Sequence, residues 1–140
     1  MNKVFYFISC LTVISALFLI SLVLFWEFYP YKVIEFTNTP HKIINQTVKA
    51  GDHVSFVFEY CKPQNFSGDL TISFVDGFIY NTSTVKSNIA SGCHKEIYQV
   101  YVPKGIPVGV YKISAFLSYK VNPIRTIDIV TETEKFTVTK

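Results

Sequence analysis

Residues 32–140 alternate apolar and polar side chains with a period of two, are rich in Val, Ile, Thr, Phe and Tyr, and are broken repeatedly by Gly, Pro and Asn. That pattern predicts an all-β antiparallel sandwich of about seven short strands. Ahead of it, residues 4–26 run VFYFISCLTVISALFLISLVLFW without one charge, between Lys3 and Glu27. At the helical rise per residue this run reaches roughly 34 Å, enough to cross a hydrocarbon core of about 30 Å with some tilt. The expected organisation is a short cytoplasmic tail at 1–3, a transmembrane helix (signal anchor) over 4–29 and an extracytoplasmic β-domain over 30–140.

The helix comes first in the chain. A cleaved secretory signal has an apolar core of about 7–15 residues and a small-x-small cleavage site, and neither fits this run. A lipoprotein cysteine at Cys10 would lie too close to Lys3, behind a poorly matching Phe7-Ile8-Ser9. Phe5, Tyr6 and Phe7 at one end, with Phe25, Trp26, Phe28, Tyr29 and Tyr31 at the other, resemble aromatic belts at headgroup depth. Pro30 ends the helix. Lys3 and the α-amino group give a slight bias toward a cytoplasmic N-terminus, with the remainder periplasmic or at the cell surface. Ser9, Thr12 and Ala16 share one helical face and form a candidate packing stripe, so a homo-oligomer is compatible with the anchor.

The strands follow in order. Val54, Phe56, Phe58 and Tyr60 alternate with Ser55, Val57, Glu59 and Cys61, which predicts a strand with an aromatic core face. Leu70, Ile72 and Phe74 alternate with Thr71, Ser73 and Val75, and Asp76-Gly77 then signals a hairpin into Phe78-Ile79-Tyr80 through a type I′ turn. A polar stretch over 81–92 precedes the alternating Tyr98, Val100 and Val102, ended by Pro103. The longest strand places Tyr111, Ile113, Ala115, Leu117, Tyr119 and Val121 on one face, with Lys112, Ser114, Ser118 and Lys120 on the other. Asn122-Pro123 turns the chain, and residues 124–130 and 135–139 complete the set. A sandwich starting near Lys32 leaves almost no linker, so it is expected close to the bilayer, with partners in the same membrane.

Pro107-x-Gly109-x-Tyr111, at the entrance to a late alternating strand, resembles the tyrosine corner of immunoglobulin-like and fibronectin-like domains. The resemblance covers about residues 32–140 and is one of fold. No Cys stands two residues after Tyr111, where Ile113 lies, and the single Trp belongs to the anchor, so the antibody-type pin between sheets is absent. In such a sandwich the strands ending at Cys61 and starting at Cys93 would be the second and fifth. These are antiparallel neighbours, which makes a Cys61–Cys93 disulfide geometrically reasonable in an oxidising compartment.

Other chemistry is thinly represented. A metal set of Cys61, Cys93 and His94 with His53 or His41 matches no ligand spacing, and adjacent 93 and 94 would point to opposite strand faces. The histidines read more simply as surface residues. The carboxylates form no motif, and neither a G-x-S-x-G elbow nor a phosphate loop occurs, so no catalytic residue, cofactor or metal is assigned. A formal charge of +3, with the lysines scattered, does not suggest nucleic acid. Asn45, Asn65 and Asn81 head N-x-S/T sequons.

The expected function is protein contact by a membrane-anchored immunoglobulin-like module, as an accessory or structural subunit of a membrane or virion-associated assembly or as an adhesion or receptor-like part. Its partners are the bilayer and a protein in or at the same membrane. Asn81, Thr84, Lys86 and Asn88 of the polar stretch, with Phe116 on an otherwise polar face, are the candidate contact residues. Two alternatives stand beside it. One is an envelope protein of lysis, exclusion or export type whose helix is the active part; the other is an extracytoplasmic metal-binding or enzymatic domain.

Overall fold

The computed structural model describes residues 2–82, 84–87 and 89–140. Helix α1 (Asn2–Phe28) is followed by β1 (Glu35–Phe36), β2 (Thr47–Lys49), β3 (His53–Lys62), β4 (Gly68–Val75) and β5 (Ile79–Asn81). Then come β6 (Val85–Ser87), β7 (Gly92–Tyr101), β8 (Gly109–Lys120), β9 (Thr126–Glu132) and β10 (Phe136–Thr139). Two compact units result: α1 through Tyr31 with Asn122–Arg125, and Lys32–Val121 with Thr126–Lys140.

In the first unit, Lys3–Phe28 is long and apolar enough to cross a membrane, and none of its most apolar window is buried. An α-helix leaves its last carbonyls without intrahelical donors. Here Asn122 Nδ2 donates to the Trp26 carbonyl at 2.9 Å, and Arg125 Nη1 donates to the carbonyls of Glu27 at 2.6 Å and Tyr29 at 2.7 Å. A cationic side chain also complements the negative end of the helix dipole. The rings of Phe25, Tyr29 and Tyr31 form a chain of contacts at 5.0 and 4.8 Å between centroids.

In the second unit, one sheet has the order β1-β3-β7 and the other β2-β10-β8-β4-β5, with β6 also pairing β4 and β9 also pairing β8. All pairs are antiparallel except β2 with β10. Both sheets contribute to one core. From β3 come Val54, Phe56, Phe58 and Tyr60, and from β8 come Tyr111, Ile113, Leu117 and Tyr119, all buried. The period of two explains this, since every second side chain along each strand faces the other sheet. Gly68 is required by close approach: a Cβ there would lie 2.6 Å from Cδ1 of Tyr119, whose ring occupies that space.

Tyr111 is fully buried, and its Oη donates to the Pro107 carbonyl four residues upstream at 2.9 Å. Burial first, with help from Asp76, pushes its hydroxyl pKa up to about 12, so the phenol stays a donor.

Residues 37–44 tie the two sheets together. Thr37 and Ile44 donate backbone N–H groups to the carbonyls of Glu59 and Ser55 on β3, and Val57 donates to Lys42. On the other side, the His41 N–H donates to Glu132 O at 2.8 Å, and Glu134 N–H returns to His41 O at 2.9 Å.

Several expectations need correction. The β4–β5 hairpin pairs Val75 with Ile79, leaving a three-residue loop at 76–78 rather than a type I′ turn. A type I′ turn needs two positive φ angles, whereas only Gly77 has one, at 113°. Asp76 instead accepts the Phe78 N–H through its own Oδ1. The polar stretch over 81–92 is not purely a connector, for it contains β6 paired to β4 and a buried Ile89. His41, read as a surface residue, is only 2% exposed. Its neighbours are Phe36 and Phe58, with ring centroids at 5.3 and 4.8 Å.

Candidate functional site

At the paired ends of β3 and β7, Cys61 and Cys93 are cross-strand partners and form a disulfide. Both sulfurs are therefore committed to each other rather than free to ligate metal. His94, next in sequence, has Nε2 at 2.8 Å from the Ser91 carbonyl. Among the described residues no group of three His, Cys, Asp or Glu side chains is placed to hold a metal ion.

Lys62 lies one residue beyond Cys61 and continues the inward-facing row two residues past Tyr60. Although a lysine, it is 1% exposed. Its Nζ donates to the carbonyls of Phe66 at 2.7 Å and Ile89 at 2.8 Å and stands 5.5 Å from the centre of the Tyr119 ring. Burial lowers its pKa. The alternation of β3 already placed position 62 on the core face, but its charge hid it from a reading by hydrophobicity.

The candidate contact residues separate in space by role. Asn81 is exposed on β5 and accepts the Ser73 hydroxyl at 2.7 Å, while the Thr84 and Thr71 hydroxyls are 2.7 Å apart. Lys86 lines a shallow hollow with Ser67, Asp69, Ser118 and Lys120. Asn88, and Ser83 of the Asn81 sequon, lie outside the described residues. Phe116 is 40% exposed and is paired across the ladder with Val130, itself 60% exposed, so its face is less polar than the alternation suggested. Of the sequon asparagines, Asn65 is exposed in the loop after β3. Asn45 is internally engaged, donating Nδ2 to His53 O at 2.9 Å and accepting the Ser55 N–H at 2.6 Å. On α1, the Thr12 hydroxyl donates to the Ile8 carbonyl of the preceding turn at 2.6 Å; Ser9 and Ala16 are exposed.

A larger surface feature went unnoticed in the sequence. An open groove of about 760 Å³ is walled by Val130, Thr131, Glu132 and Thr133 together with Thr39 and Pro40. Lys112 and Glu132 pair within it at 2.7 Å, and Glu134 and Lys135 also line it. His41 anchors this wall from inside, its Nε2 lying 2.8 Å from Thr131 Oγ1. Burial lowers the His41 pKa, with Glu59 pulling weakly the other way. Sequence alternation identified the strand but carried no signal for which of its edges would stay open.

The chain matches no protein-family model and no curated protein sequence.

Proposed function

We propose that the chain is a single-pass membrane protein whose helix displays an immunoglobulin-like β-sandwich outside the cytoplasm for contact with another protein. The observation that carries this reading is α1 itself. Its large apolar side chains, from Val4 to Phe28, are almost all open, and an apolar surface of that extent is stable only out of water. A signal sequence would be removed, leaving the β-unit soluble; the length of α1 and its aromatic ends favour an anchor.

Strand order and the corner residue support the immunoglobulin-like reading. Strands β1, β3 and β7 match those that such a domain letters A, B and E, while β10, β8, β4 and β5 match G, F, C and C′. Tyr111 stands near the start of the F-like strand and bonds backward to Pro107, as a tyrosine corner does. The disulfide favours an oxidising compartment for the β-unit. The contact is made as an accessory or structural subunit of a membrane or envelope assembly, or in adhesion.

Replacing α1 by an unrelated membrane helix tests the reading. Co-purification of the same partner from native membrane is expected to survive the exchange. Loss of the partner and of activity after the exchange would make the helix the active part instead.

A further inference from the structure

Among the strands, β9 pairs with β8, in an unbroken register from Ser114 with Glu132 to Lys120 with Thr126. In an antiparallel ladder, successive residues point their N–H and C=O groups to opposite sides. Thr133 donates to Ile113 on β8, whereas the Glu132 carbonyl accepts from His41 on the far side. The even-numbered residues Thr126, Asp128 and Val130 therefore direct their backbone groups away from β8. Among the described residues nothing bonds to them there. His41, bridged in parallel to Thr133, occupies this edge at Glu132; the next residue that such a bridge would bond to β9 is Thr39, and among the described residues no backbone bond joins it to Val130. The groove walled by Thr39 and Pro40 runs beside this edge.

Sheet edges are normally blunted by lysine, proline, a bulge or an inward-pointing charge. The edge strand β7 has such protection: Lys95 lies on it, and Glu96 shares the face of its partner Phe58. β9, with the sequence TIDIVTE, has no lysine, proline or bulge. Its composition favours pairing.

We propose that the β9 edge is a strand-addition site for an extended segment of a partner protein bearing Lys or Arg opposite Asp128. This rests on the reading of the β-unit as a protein-contact module and says where the contact is made. Charge selects the occupant. A second copy adding to β9 in the antiparallel register that uses Thr126, Asp128 and Val130 of both chains would set Asp128 directly against Asp128. Like charges directly opposite are destabilising, so this register is disfavoured, whereas a basic residue there is attracted. Exposed Val130 and half-buried Ile127 and Ile129 offer apolar positions for the flanking side chains of the incoming strand.

The test uses the full chain in lipid nanodiscs, with short capped peptides of alternating Thr and Val that carry Lys or Glu at the centre. At millimolar lysine peptide, hydrogen exchange at the Asp128 and Val130 amides is expected to slow, and the glutamate peptide is expected to bind about tenfold more weakly. Asp128→Lys reverses the preference. Val130→Pro removes an N–H that the β8 ladder does not use, so Ile127 and Ile129 stay protected while peptide binding is lost. Unchanged exchange at Asp128 and Val130 with both peptides, or equal binding insensitive to Asp128→Lys, overturns the proposal. So does a cross-link between copies carrying Thr126→Cys and Val130→Cys with Asp128 retained, which puts a second copy on the edge. Co-purification of a partner that persists in Val130→Pro removes this edge as the contact but leaves the display reading standing.

Discussion

Burial removes the His41 imidazole from water, and the neutral ring is the form that fits among Phe36, Phe56 and Phe58. Its folded pKa lies below the ordinary 6.5, chiefly through desolvation. The sign follows by linkage: as pH falls through about 6.5 the unfolded chain takes up a proton that the folded chain resists, so stability is present above that value and declines below it. Urea midpoints are therefore expected to drop as pH falls from neutral toward the folded pKa. His41→Phe should abolish the drop in that window; a parallel decline in the variant would assign it to another group. Tyr111→Phe deletes the bond to the Pro107 carbonyl and should lower stability by about 1 kcal/mol, measured by chemical denaturation; an unchanged midpoint would deny the corner an energetic role. Neither His41 nor Lys62 was legible as a core residue. His41 is buried because residues 37–44 cross between sheets, which no local periodicity encodes. Lys62 sat in phase with its strand, but a lysine in the core is stable only because two carbonyls and an aromatic face meet its ammonium.

Among the elements, the long strands were the most legible because one face of each is buried and the period of two is consequently strict. The aromatic row of β3 and the inward row of β8 lie on the core as the alternation required. Short strands were not, since β1, β2 and β6 are held by partners distant in sequence and have too few residues to show a pattern. The same limit applies to the groove, which depends on which neighbour β9 lacks. The disulfide joins β3 to β7 across 32 positions of sequence, and much of its contribution comes from restricting the unfolded chain. Replacing Cys61 and Cys93 together by Ser is expected to cost about 3 to 4 kcal/mol on the chain-entropy model, read as a shifted denaturation midpoint. A loss under about 1 kcal/mol would mean that the β3–β7 ladder alone orders this end of the sheet.

For the molecule as a whole, the proposed function divides the work between a helix whose residues 4–26 carry no charge, which would set location, and an all-β unit, which would make the contact. Both parts were legible in outline, because length and absence of charge identify the one, and alternation with turn residues the other. The helix carries the larger consequence, since every proposal about partners depends on its remaining attached to the β-unit. The most direct measurement is the intact mass of the chain recovered from native membranes after an alkaline carbonate wash. A retained anchor predicts the full 16.0 kDa chain in the washed membrane pellet. A shorter chain in the supernatant, lacking the residues of α1, would contradict the account.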